Sequence, residues 1–123
     1  MQDFRKLRVW QRAQETCVQI YLLTSEFPAE EKYGITSQLR RAAVSVGANL
    51  AEGSKRKSSA DKARIFNLAE GEAAEAMSIL DVAARLEYGP KGEARRFSAI
   101  YDELLGMIEA LRQQVAAESK PNR

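Results

Sequence analysis

The sequence predicts an all-α protein, an antiparallel up-down four-helix bundle, on three observations. Apolar residues recur in steps of three and four along four separate segments, the mark of one buried helical face. No segment alternates apolar and polar residues as a half-buried strand does. The strongest breaks, Phe27-Pro28 and Gly89-Pro90, fall between those segments, and the residue before a proline avoids helical backbone. At 123 residues, 45% of them hydrophobic, the chain suits a single domain over 1–123 that buries roughly two thirds of its unfolded surface.

The first helix is expected from about Lys6 to Ser25. Trp10, Ala13, Cys17, Ile20 and Thr24 give its apolar face, widened by Val9, Tyr21 and Leu22. Ala29 to Gly34 reads as a loop. The second helix starts near Thr36 or Ser37, either of which can cap it. Leu39, Ala42, Ala43, Val46 and Leu50 form its main face. Small residues nearly encircle it, so it packs on more than one neighbour. Gly53 is the expected stop, because glycine accepts the left-handed conformation past a helix end. Ser54 to Ser59 is a polar, basic connection, and Ser58 with Asp61 resembles a capping box with Asp in place of Glu.

The third helix then runs to about Glu87. Its seam of Phe66, Ala69, Ala73, Ala76, Leu80 and Ala83 is dominated by alanine and permits close helix approach. The fourth spans about Glu93 to Ala117, with Phe97, Tyr101, Leu104, Ile108, Leu111 and Val115 in steps of four and three. The polar tail from about 118 to 123 is expected to fray. The last two helices, roughly 40 Å long at 1.5 Å per residue and joined by a short loop, favour antiparallel packing.

Composition excludes much catalytic chemistry. The chain has no His and one Cys, which removes a Ser-His-Asp triad, a Cys/His zinc site and an internal disulfide. A di-metal carboxylate bundle wants Glu-x-x-His pairs, so Glu72, Glu75, Asp102 and Glu103 read as a solvated face. Gly47 to Lys55 superficially suggests a phosphate loop, but its spacing is wrong and it follows a helix rather than a strand. Cys17 reads as a small buried hydrophobe. The expectation is a protein that is not an enzyme and has no cofactor. The most apolar run, Cys17 to Leu23, is too short to span a bilayer, and no leader pattern opens the chain. The expected location is the cytoplasm.

Charge is nearly balanced, with 19 Lys and Arg against 17 Asp and Glu, yet unevenly placed. Between Arg40 and Arg64, seven basic residues (Arg40, Arg41, Lys55, Arg56, Lys57, Lys62 and Arg64) face only Glu52 and Asp61. Residues 65 to 90 carry Arg85 against five acids. Serines flank Lys55-Arg56-Lys57, and a helix start beside them offers free N–H groups. With Arg5, Arg8 and Arg12 as secondary contributors, these residues are the candidate phosphate-contacting surface. No aromatic platform accompanies them, so recognition is expected through charge and shape. Ser45, Asn49 and Glu52 line up along the second helix as either a solvent-facing strip or a polar patch inside the bundle or at a subunit contact.

Several segments occur together: Leu7-Arg8-Val9-Trp10-Gln11-Arg12-Ala13, Phe27-Pro28 with Glu31-Lys32-Tyr33-Gly34-Ile35-Thr36, and the run from Gln38 to Gly53 containing Arg40-Arg41-Ala42-Ala43 and Gly47-Ala48-Asn49-Leu50-Ala51-Glu52. Arg64-Ile65-Phe66 and Ala69-Glu70-Gly71 continue the pattern. Over about residues 4 to 112 the chain resembles the bacterial four-helix-bundle proteins of intervening sequences in 23S ribosomal RNA genes. The resemblance implies an up-down bundle assembling as a homopentamer, with no established enzymatic activity. It extends to the accessory variability protein of diversity-generating retroelements, which implies binding to nucleic acid and a reverse transcriptase. One departure is Glu72 after Gly71, where the family pattern usually has Ser. Two functions follow: an oligomeric accessory protein that binds nucleic acid, RNA and/or DNA with RNA ahead of DNA, or a protein-interaction scaffold with an incidental basic loop.

Overall fold

Helices α1 (Arg8–Thr24), α2 (Ile35–Lys55), α3 (Ser59–Arg85) and α4 (Glu93–Glu118) make up most of the computed structural model, which describes residues 3–118. Short 3-10 turns at Phe4–Lys6 and Ala29–Glu31 precede α1 and α2. No strand occurs among the described residues. The four helices share one apolar core. Helix α1 packs on α2 and α4 but not on α3, so α1 and α3 sit diagonally.

The predicted seams are the observed ones. All six residues of the α3 seam are buried, and so are five of the six in α4, with Leu111 half-buried. On α2, Leu39, Ala42, Ala43, Val46 and Leu50 are buried between α1 and α3. Helix α1 differs in part: Tyr21 and Leu22, expected to widen its stripe, face outward with Val18. Three buried hydroxyls are satisfied within their own helices. Thr16 donates to the Arg12 carbonyl at 2.8 Å, Thr24 to Ile20 at 2.7 Å and Ser54 to Leu50 at 2.9 Å, the usual alternative to water for such groups.

The starts and stops correct several expectations. Neither Thr36 nor Ser37 caps α2, which begins before them at Ile35. Glu31 does that work: one carboxylate oxygen accepts the Ile35 N–H at 3.1 Å, and the other accepts the Tyr88 hydroxyl at 2.8 Å. Gly53 does not stop α2, which continues to Lys55. The glycine is needed for packing, because a Cβ there would lie 2.6 Å from the Phe66 ring. Ser58 does cap α3, accepting the Asp61 N–H at 3.0 Å. Helix α3 closes with Tyr88 N–H on the Ala83 carbonyl at 2.9 Å and Glu87 N–H on Ala84 at 3.0 Å, a Schellman arrangement. Its left-handed position is Glu87, at φ 58°, two residues before the expected glycine. Helix α4 includes Glu118, the first residue of the stretch expected to fray; 119–123 lie outside the described residues.

Two predictions arise from this framework. The backbone hydrogen bond from Ile35, followed by that from Tyr88, holds the Glu31 carboxyl below its ordinary value of 4.5. A carboxyl lowered on folding stabilises the fold above its unfolded value, and loses that contribution as pH falls through the folded one. The stability deficit of Glu31→Gln should therefore be full at neutral pH and shrink below pH 4.5, as read by thermal midpoints of both proteins across an acid series. A deficit independent of pH would show that the charge is not what matters.

The second concerns Tyr101, which is completely buried with no hydrogen-bond partner for its hydroxyl. Burial pushes this phenol far above its ordinary value. An unsatisfied buried hydroxyl costs free energy, so Tyr101→Phe should raise stability by about 1 kcal/mol. Urea unfolding checks it, as a higher midpoint at unchanged slope.

Candidate nucleic-acid interface

The start of α1, the end of α2, the start of α3 and the end of α4 meet at one end of the molecule. The residues that show this line one groove: Leu7 before α1, Ser54 on α2, Lys62 and Phe66 on α3, and Leu111, Gln114 and Val115 on α4. The reason is local. Helix α2 ends on Lys55, only Arg56 to Ser58 separate it from α3, and the Ser58 cap fixes the restart. The basic run Lys55-Arg56-Lys57 is thereby held at the turn.

The cations there are used in different ways. Lys62 donates to the Ser54 carbonyl at 2.7 Å, satisfying one of the free carbonyls at the end of α2. Arg56 pairs with Glu52, and its buried Nε lies 3.7 Å from Asp61 without a hydrogen-bond acceptor. Arg64 grips Asp61 through two bonds of 3.0 and 2.8 Å. Arg5 is paired with Asp3 at 3.0 Å, and the Asp3 carboxyl, lowered chiefly by Arg5, also feels Lys55. The side chains of Lys55 and Lys57 are exposed and make no hydrogen bond or ion pair among the described residues. Among the cations of the α2–α3 turn they are the two left available to an external phosphate.

The remaining predicted residues are divided between places. Arg40 lies about 22 Å along α2 from Lys55 at 1.5 Å per residue. It is engaged internally, donating to Thr24 Oγ1 at 2.8 Å and the Tyr21 carbonyl at 3.2 Å, with its guanidinium 4.5 Å from the Tyr21 ring centroid. Arg41 is exposed near Glu72 on α3, away from the basic end. Arg8 is exposed on the first turn of α1, and Arg12 pairs with Glu103 of α4 at 2.6 Å. The seven basic residues grouped by chain position are thus two groups in space.

Ser45 and Asn49 are half-buried and Glu52 is exposed. Asn49 donates to the Ser45 carbonyl at 2.9 Å, and Glu52 meets Arg56. Within one chain they form no interior network. Glu72 is half-buried; desolvation raises its carboxyl, Glu75 adds to the rise, and Arg41 opposes it. Glu75, Asp102 and Glu103 are exposed. Burial likewise pushes the half-buried Cys17 thiol up, which makes it a poorer nucleophile. No group of three His, Cys, Asp or Glu residues among the described residues is placed to hold a metal. No helix among them is long and apolar enough to cross a membrane.

Sequence reasoning missed Leu7, Gln114 and Val115 as members of this end. Each belongs to the site only because α1 and α4 terminate beside the α2–α3 turn, and no local signal marks them. It also missed the Glu70–Arg112 pair between α3 and α4, which occupies two charges that spacing alone leaves free.

The family described as 23S rRNA-intervening sequence protein matches residues 5–110 of the chain. A crystal structure of a protein of unknown function, from the S23 ribosomal protein family of Bacteroides thetaiotaomicron, superposes with a TM-score of 0.75 at 23% identity. The overlap covers 85% of this chain and 97% of that one, a likeness of fold. No curated protein matches in sequence.

Proposed function

This chain belongs to the 23S rRNA-intervening sequence protein family, and from that premise we propose that it is a non-catalytic accessory protein that binds nucleic acid, RNA in preference to DNA. The observation that carries this reading is that Lys55 and Lys57, beside Lys62 and Arg5 at one end of the molecule, are exposed and unpaired among the described residues. Phosphate contacts of this kind supply sequence-independent affinity. The bundle is read as antiparallel and up-down. In support, Arg95 early in α4 reaches Asp81 late in α3, whereas Arg112 late in α4 reaches Glu70 early in α3. Arg40 early in α2 likewise reaches Thr24 at the end of α1.

Self-association is part of the proposal. Val18, Tyr21 and Leu22 on α1, and Leu68 and Val82 on α3 with Leu86 just past its end, are exposed on helices that do not touch each other. Two unlike apolar faces on opposite sides of a subunit suit a head-to-tail contact, which closes into a ring when the rotation allows. The subunit number of five comes from the resemblance. The same faces are what a scaffold protein would offer a different partner, and they favour that second reading if nucleic acid does not bind.

The test is binding of a structured RNA and a matched duplex DNA over a salt series, with the mass of the assembly measured in parallel. Affinity should fall steeply with salt, by about 0.7 to 0.9 in log K per log unit of salt for each phosphate neutralised. Absence of binding to either at low salt would overturn the reading.

A further inference from the structure

We propose that the groove at the basic end takes one unstacked nucleotide of a bound single strand, its base against the apolar wall and its phosphate on Lys57 and Lys62. The inference rests on the nucleic-acid-binding reading above and names the part of the ligand this site selects. The groove has a volume of about 470 Å³, inside the range of roughly 300 to 1,000 Å³ in which small-molecule sites fall and ample for one nucleotide. Its lining supplies three different chemistries. Leu7, Leu111 and Val115, with the buried Phe66, give an apolar wall that a base face can cover. Gln114 offers an amide donor and acceptor for a base edge. Lys57 makes no hydrogen bond or ion pair among the described residues, and Lys62 spends one ammonium proton on Ser54 and keeps two.

A ligand that satisfies all three needs an anion, a flat apolar body and a hydrogen-bonding edge in one unit, and a nucleotide has them. Glu118 also lines the groove. Its carboxylate repels a phosphate, which places the phosphate toward the lysines. Lys55 and Arg5 at the same end can meet neighbouring phosphates of the strand. A paired, stacked base can reach the groove only at the cost of unstacking, so the site distinguishes unpaired strands from duplexes without reading sequence.

The test compares a short single-stranded oligoribonucleotide with one of the same length and charge carrying abasic positions. The wild-type protein should bind the base-bearing strand about tenfold more tightly, from roughly 55 Å² of apolar base surface covered by the wall. Gln114→Leu removes the edge amide, offers no aromatic face for a base to stack on and changes no charge; Gln114 is exposed, so the fold tolerates it. In that variant the ratio of the two affinities should fall about fivefold, the worth of one hydrogen bond. Equal binding of both strands by the wild-type protein would overturn the groove proposal and leave the phosphate-binding surface standing. A ratio unchanged in Gln114→Leu would put the base elsewhere and also overturn it. Failure of both strands, and of the structured RNA and duplex DNA, to bind at low salt would overturn the nucleic-acid reading itself, and the groove proposal with it.

Discussion

Gly53→Val should lower stability by about 3 kcal/mol, at the upper end of what overpacking costs. A Cβ at Gly53 would sit 2.6 and 2.7 Å from two Phe66 ring carbons and 3.3 Å from Ile65. Phe66 and Ile65 are both buried, so neither ring nor methyl can swing into solvent, and α2 must move away from α3. Gly53→Ala meets the same ring, but helix propensity returns about 1 kcal/mol, so its net loss should be smaller.

Gly47 provides the control on the same helix. A Cβ there meets the amide end of Gln14, and Gln14 is exposed and free to rotate. Gly47→Ala should therefore stabilise the protein by about 1 kcal/mol. Urea unfolding of the three variants checks both signs. If Gly53→Ala gained as much as Gly47→Ala, the close α2–α3 contact at Phe66 would be wrong.

Lys55→Glu combined with Lys57→Glu should weaken RNA binding on the order of a hundredfold at low salt, and reduce the salt slope by about two. Both lysines are exposed and make no hydrogen bond or ion pair among the described residues, so helicity and assembly mass should not change. Reversing Arg56 as well would confuse the result. A carboxylate at that position faces Glu52 and Asp61, and the repulsion would loosen the α2–α3 turn before any ligand arrives. Titration of the double variant, with circular dichroism alongside, checks the expectation. Unchanged affinity would remove the basic turn from the interface.

The bundle was largely legible because heptad spacing is a local property with a global consequence. Phe97 through Val115 repeat at intervals that allow only one helical face, and that face is buried. Helix boundaries were less legible. Thr36 and Ser37 have capping side chains, but the effective cap of α2 is the Glu31 carboxylate, tied down by Tyr88 from the far side of the chain. Gly53 has the residue type of a helix stop, and its actual use depends on Phe66. In both cases the deciding atom comes from another segment.

The candidate site divides along the same line. Residue spacing is enough for the helices, their buried faces and a basic turn at Lys55-Arg56-Lys57. Which cations stand together is a matter of tertiary packing. That packing sends Arg40 to the end of α1 and Arg12 to Glu103, and it leaves Lys55 and Lys57 unpaired among the described residues. It also brings Leu7, Gln114 and Val115 to the groove beside them. Periodicity fixes which face of a helix is buried, whereas the availability of a charge depends on which opposite charges and carbonyls other helices bring within a few ångströms.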